Sequence, residues 1–275
     1  MEANLRIFFA TLALSAAVAL AIRLLLPRLL AWRGVTLFWR TRFGPALVFD
    51  SCDQDGTTVR LLNVAGTYQS VCYVDEDLLW LPVCEYHRTW AQAIFDHWRG
   101  RPHAARRALV LGGGGFSFPK WLVAMTDDVA CEVVEIDPAI IEIARSWFFL
   151  DRLEREFGPE RICVREGDAW RRLKEADETF DLIVNDVFAK NRPLGPIATD
   201  EGAALIRERL APGGLYIGNV RCTLSGRGGR LLEQTRLAFE GVFDHVRVIC
   251  ERPENPRLIG NNCLLAWMDE EGSAD

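Results

Sequence analysis

The sequence predicts an α/β fold: a mostly parallel sheet with helices on both faces, preceded by a small antiparallel β unit and an apolar N-terminal helix. Three observations carry this. From Arg107 onward, short apolar strand-like runs alternate with helical ones. Between residues 46 and 74, three β-type runs are separated by turn residues. Ile7 to Ile22 carries no charge at all.

That uncharged run, IFFATLALSAAVALAI, is followed after Arg23 by a second apolar run, LLLPRLLAW. A spanning helix needs about 20 apolar residues, and Arg23 can snorkel to the interface. Arg23, Arg28, Arg33, Arg40 and Arg42 follow the apolar core, whereas only Arg6 precedes it. The positive-inside tendency therefore puts the C-terminal side in the cytoplasm. Residues 1–42 are expected to be a single-pass anchor in the cell membrane with a basic juxtamembrane segment. A cleaved signal peptide fits less well, with Glu2 in its n-region and arginines where cleavage should occur. A helix lying in the interface is the third option.

Residues 43–101 form the second unit. ALVFDS, a turn at Asp53-Gln54-Asp55-Gly56, TTVRLLNVAG and TYQSVCYV read as strands joined by hairpin turns. Trp80 to Trp98 then reads as a helix entered after Pro82, and Arg99-Gly100-Arg101-Pro102 ends it.

Residues 102–275 form the third. RALVLGGGG is a buried strand running into a glycine turn, followed by the helical FPKWLVAMT. CEVVEID is the second strand, and PAIIEIARSWFFL opens a helix with Pro138 at its first position. RICVREGD, WRRLKEAD and FDLIVNDVF continue as strand, helix, strand. A helix over residues 200–210 ends at the APGG turn; LYIGNV, LLEQTRLAFEGVF, HVRVIC and NNCLLAWM follow as strand, helix and two closing strands. Ser225 to Arg230, SGRGGR, reads as a flexible loop, and the terminal EEGSAD as a disordered tail.

Composition narrows the function. The 275 residues are 49% hydrophobic and 25% charged, an ordinary globular balance. With 32 basic against 38 acidic residues and no basic block, binding to nucleic acid is not expected. The eight cysteines are scattered, without C-x-x-C or Cys/His clusters, and read as reduced core residues; no metal is expected. His87, His97, His103 and His245 have no ligand or triad spacing and read as surface or capping residues.

In doubly wound sheets, ligands sit past the carboxyl ends of the strands. Gly112, Gly113, Gly114 and Gly115 occupy the first such loop, where glycines let a ligand approach the backbone. Glu135 and Asp137 end the second strand. Glu135 is suited to ribose hydroxyls, and Asp137, before Pro138, to capping the next helix. Asp168, in Gly167-Asp168-Ala169, can accept from an adenine amino group. Asp186 ends the fourth strand without a capping run after it and is the candidate catalytic acid.

The order LVLGGGG, VVEIDPAIIEIAR, EGDAW, DLIVNDVF and LAPGGL resembles the spermidine synthase family of aminopropyltransferases, in its membrane-attached bacterial branch. NVAGTYQS and EYHRTW resemble that family's N-terminal hairpin unit and the helix carrying its tyrosine. The resemblance, over about Val48 to Met268, implies a Rossmann-like S-adenosylmethionine-dependent methyltransferase fold. It also implies decarboxylated S-adenosylmethionine as co-substrate, a small-molecule amine as acceptor, and a homodimer formed through the β unit. Gln69 and Tyr86 would face nucleoside and amine, Gly112 to Gly114 the sulfonium end, Glu135 the ribose, and Asp168 with Ala169 the adenine. Asp186 would orient and help deprotonate the amine.

The family's G-G-G-D-G loop has Gly115 in place of its acid. Its D-S-T-D-P run becomes Asp186-Val187-Phe188-Ala189-Lys190, and its Tyr-x-Glu becomes Tyr86-His87-Arg88. Three acids expected around a polyamine are thus absent. Three functions follow: aminopropyl transfer to a different or smaller amine, methyl transfer from intact S-adenosylmethionine, or a membrane-tethered nucleoside-binding module without catalysis.

Overall fold

The computed structural model describes residues 2–100, 106–189, 192–193 and 195–269. Arg101, Pro102, His103, Lys190 and the EEGSAD tail lie outside them. Helix α1 (Glu2–Trp32) comes first, and its Phe8–Trp32 part is long and apolar enough to cross a membrane. Its described side chains are largely exposed, leaving the apolar surface without protein cover.

Four strands then form an antiparallel meander: β1 (Val35–Thr41), β2 (Gly44–Cys52), β3 (Thr58–Val64) and β4 (Thr67–Tyr73). The first is a correction to the expected juxtamembrane segment. VTLFWRT has the β-branched and aromatic content of a strand, and it pairs with β2 from Val35↔Phe49 to Thr41↔Gly44. Helix α2 spans Glu85–Trp98 and begins five residues later than expected, because turns occupy residues 75–81 and Pro82 precedes it. It buries His87, Trp90, Ala91 and Ile94, the i, i+3, i+4, i+7 face of a helix.

The rest alternates: β5 (Arg106–Leu111), α3 (Ser117–Met125), β6 (Val129–Glu135), α4 (Pro138–Trp147), α5 (Leu150–Phe157), β7 (Ile162–Glu166), α6 (Ala169–Glu175) and β8 (Phe180–Asn185). A short ribbon, β9 (Phe188–Ala189) with β10 (Arg192–Pro193), leads to a 3-10 turn at Gly195–Ala198. Then come α7 (Asp200–Arg209), β11 (Leu210–Cys222), α8 (Gly226–Glu240), β12 (His245–Ile249) and β13 (Gly260–Trp267). Three local expectations change. The single helix after Pro138 is broken at Phe149, whose φ of 63° cannot continue it, so α5 is separate. The APGG segment is absorbed into β11 across a register shift. SGRGGR opens α8 instead of forming a loop. Cβ atoms at Gly228 and Gly229 would stand 2.3 and 2.6 Å from Thr223 and Leu224, so these glycines serve close packing.

The large sheet has the order β12-β13-β11-β8-β5-β6-β7, parallel except at β13, which runs against both neighbours. Alternate residues of its central strands enter opposite cores. Ala108, Val110, Leu182, Val184 and Ile217 pack with Trp90, Phe118 and Trp121. Leu109, Leu111, Ile183 and Tyr216 pack with Leu173 and Phe239 on the other face. Burial on both faces is why these strands read as continuous apolar runs. Ala46, Val48, Leu62 and Val64 of the meander join the first core, which seats the β unit over the carboxyl ends of the strands. All eight cysteines are free, with Cys72, Cys131, Cys222 and Cys263 buried; Cys52 and Cys163 are exposed and not core residues.

Candidate active site

The strand order reverses between β5 and β8, and a cavity of about 710 Å³ opens there under the β unit. Gln69, Tyr86, Gly112, Gly113, Gly114, Glu135, Asp168, Ala169 and Asp186 all line it. Nine residues spread over 118 positions of sequence thus converge on one space.

The glycine loop turns sharply at Gly112, with φ of 91°. A Cβ there would lie 2.7 Å from the Asp186 carbonyl oxygen, so no other residue lets the ends of β5 and β8 approach this closely. Glu135 holds the loop from the neighbouring strand. Its Oε2 accepts from the backbone N–H of Gly113 (2.9 Å) and Gly114 (3.0 Å), and its Oε1 from Asp137 N–H (3.0 Å). Burial pushes the Glu135 carboxyl up, and these three donors oppose that shift. Asp137 caps α4 through Ala139 N–H at 3.0 Å, and its other oxygen takes Arg42 N–H at 2.6 Å. Asp168 is exposed, lines the cavity, and caps α6 by accepting from Arg171 N–H at 2.9 Å with one oxygen.

Asp186 is clamped from two sides. The Asn219 amide donates to Oδ1 at 2.9 Å, and the Tyr86 hydroxyl donates to Oδ2 at 3.3 Å. Burial and then the Asp186 charge push the Tyr86 phenol well above its ordinary value, so it stays a donor. His87 is a correction to the surface reading. It is 5% exposed, packs on Trp90 and Phe118, and places Nε2 3.8 Å from Asp186 Oδ2. Neither ring nitrogen has a hydrogen-bond partner among the described residues, and the same holds for Asn219 Oδ1. His97 and His245 are partly buried, and each contacts one oxygen, of Gly213 and Asp269 respectively.

The sequence reading missed His87, Asn219 and Asn261. Each had a signal: His87 falls on the apolar face of α2, Asn219 interrupts an apolar strand, and Asn261 opens another. At Gly115 the loop is closed to any side chain. A Cβ would lie 2.7 Å from Ser70 Oγ and 2.9 Å from Phe148.

The fold and the cavity's position are those of the Rossmann-like S-adenosylmethionine-dependent methyltransferase class. The chain belongs to the spermine/spermidine synthase family, whose domain matches residues 81–247. It is 31% identical over 108 residues to a polyamine aminopropyltransferase of Oceanobacillus iheyensis, covering 38% of this chain and 21% of that protein. It is 30% identical over 146 residues to the eEF1A lysine and N-terminal methyltransferase of Danio rerio, covering 49% of this chain and 20% of that protein. The chain thus spans about a fifth of the length of these two relatives. The crystal structure of a probable spermidine synthase from Corynebacterium glutamicum superposes with a TM-score of 0.68 at 24% identity, covering 84% of this chain and 79% of that one.

Proposed function

We propose that this chain is a spermidine synthase-like transferase that moves an aminopropyl group from decarboxylated S-adenosylmethionine to an amine acceptor. The observation that carries the reading is the clamp on Asp186, held by Tyr86 and Asn219 directly beside the glycine loop. In this reading the adenine lies by Asp168 and Ala169, the ribose by Glu135, and the sulfonium by Gly112 to Gly114, with Gln69 covering the nucleoside. A primary ammonium has a pKa near 10.4 and must lose a proton before it can attack. Asp186 holds the cation and helps draw off that proton, with His87 Nε2 3.8 Å from its Oδ2, and the lone pair is aimed at the methylene carbon. The C–N bond forms as the C–S bond breaks, and its electron pair leaves on sulfur as neutral methylthioadenosine. Helix α1 would tether the domain to the cytoplasmic face of the cell membrane.

Methyl transfer from intact S-adenosylmethionine is the second reading. It is favoured by the filled space at Gly115, which removes the acid expected to hold an aminopropyl group. Calorimetric titration of the detergent-solubilised full-length protein with each donor separates the two. Tighter binding of the decarboxylated form supports aminopropyl transfer, and tighter binding of the intact form overturns it. Asp168→Asn, which keeps the helix cap, is expected to weaken either donor.

A further inference from the structure

The charges lining the cavity are divided along the sheet. Over β5, β6 and β7, the donor side, the carboxylates are Glu135 and Asp168, and the cation there, Arg42, sits beside Asp137, which takes its backbone N–H. Beyond Asp186, on the far side from the glycine loop, the cavity runs over β11 and β13 and is lined there by Asn219, Arg221, Asn261 and, from the β12–β13 loop, Arg252. Two cations and one carboxylate therefore face the acceptor.

Arg221 follows Asn219 by two residues on β11, so both side chains leave the same face of the strand, about 6.7 Å apart along it. Asn219 holds Asp186, which makes Arg221 the next side chain outward from the reacting centre. Among the described residues the Arg221 side chain makes no ion pair or hydrogen bond. Among the described residues the Arg252 side chain pairs with Glu251, at 3.9 Å. Glu251 is already committed to Asn261, accepting its N–H at 2.8 Å and its side-chain amide at 3.3 Å. The buried Asn219 Oδ1 and the His87 ring nitrogens, without hydrogen-bond partners among the described residues, mark the amine end as built for a donor that arrives with the ligand.

We propose that the acceptor is an amine that also carries an anionic group, a carboxylate or phosphate, held by Arg221 and Arg252 while Asp186 orients its amine. A guanidinium fork presents paired N–H donors to either anion. A diamine would instead bring its second ammonium against two guanidinium groups, a like-charge placement that selects against it. This inference rests on the transferase reading for the identity of Asp186 as the amine site, but the anion site stands on Arg221 and Arg252 alone.

Full-length protein in detergent is titrated calorimetrically with γ-aminobutyrate, phosphoethanolamine and putrescine, each with and without methylthioadenosine. At least one of the two anionic amines is expected to bind ~10-fold or more tightly than putrescine, the scale of one charge-assisted pair. The stronger of the two identifies the anion as carboxylate or phosphate. Arg221→Gln is expected to erase that preference while leaving methylthioadenosine binding unchanged. Equal or tighter binding of putrescine, binding of none of the three amines, or an Arg221→Gln variant that keeps the preference overturns the inference. Failure of methylthioadenosine alone to bind counts against the transferase reading, and the nucleoside-free titrations still decide the anion site.

Discussion

The side-chain amide of Asn219 donates to Asp186 Oδ1 at 2.9 Å, fixing the carboxylate from the neighbouring strand before any amine arrives. Removing the charge should therefore separate chemistry from donor binding. Asp186→Asn is expected to lower kcat by ~10²–10⁴-fold, the scale of a lost acid–base group, with donor affinity unchanged. Asn219→Ala, which frees the carboxylate without removing it, should cost up to ~10²-fold in kcat with the donor KM unaltered. Steady-state kinetics on both variants checks this; a donor KM that rises with no change in kcat would reassign Asp186 to nucleoside binding.

Why some of the site was legible in the sequence and some was not follows from how each residue is placed. Gly112, Glu135, Asp168 and Asp186 sit at the carboxyl ends of consecutive parallel strands, and topology alone sends those ends to one crevice. Asn219 and Asn261 reach the same crevice from inside strands paired antiparallel, a relation set by register. Nothing local in LYIGNV or NNCLLAWM announces that register. His87 was missed because its spacing from the other histidines matches no ligand or triad pattern, so it read as a surface residue although it falls on the apolar face of α2. The flexible reading of SGRGGR failed because glycine content is common to mobile loops and to tightly packed helix starts. Strand β1 was masked by Arg40 within it and by the flanking Arg33 and Arg42, which made a strand look like a juxtamembrane tail.

Glu135 ties the glycine loop to the second strand through three backbone donors. Glu135→Gln replaces one acceptor oxygen by an N–H₂ group facing donors. A loss of about 1–3 kcal/mol in stability is expected from the unpaired groups, together with weaker donor binding. Urea unfolding and calorimetry report the two effects, and a variant of wild-type stability would show that the loop does not depend on this carboxylate.

Burial, followed by the charge of Asp186, pushes the Cys84 thiol from its ordinary value near 9 up to about 12. The Cys263 thiol, buried against Trp90, is likewise pushed up to about 12. A group whose folded pKa is raised contributes stability in full below its unfolded pKa and loses it as pH rises toward the folded one. Stability should therefore fall between about pH 9 and 12, by up to about 1.4 kcal/mol per pH unit for each thiol. Cys84→Ala should flatten that limb in thermal unfolding. At neutral pH, iodoacetamide should label the exposed Cys52 and Cys163 well before Cys84.

The partition between anchor and domain is testable by shortening the chain. Strand β1 covers the edge of β2, Phe38 packs edge-to-face on Trp147, and Arg42 N–H reaches Asp137 Oδ2. A chain beginning at Gly34 retains all three contacts and should be monomeric or a discrete oligomer with donor binding intact. A chain beginning at Phe43 exposes the β2 edge and leaves that Asp137 oxygen without its donor, so it should aggregate or melt earlier. Light scattering and thermal unfolding distinguish the two, and equal behaviour would show that β1 belongs functionally to the anchor.

At Gly115 the chain has not merely lost the acid of its family's loop; the space for a side chain has been filled. Ser70 Oγ lies 2.7 Å and Phe148 Cδ1 2.9 Å from where a Cβ would stand, and Ser70 is fixed in turn by Ser117 Oγ at 3.0 Å. Gly115→Asp is therefore expected to destabilise by about 1–3 kcal/mol from overpacking alone. That corresponds to a fall in Tm of about 2–4 °C per kcal/mol. It should not confer use of putrescine, because the new carboxylate would be wedged against Ser70 and Phe148 and kept from the donor tail. Ser70→Gly in the same chain removes the nearer of the two obstacles and should recover part of the lost stability. A Gly115→Asp variant with wild-type Tm and new diamine activity would mean that the loop opens readily, and that the acceptor preference is set at this one position and not by Arg221.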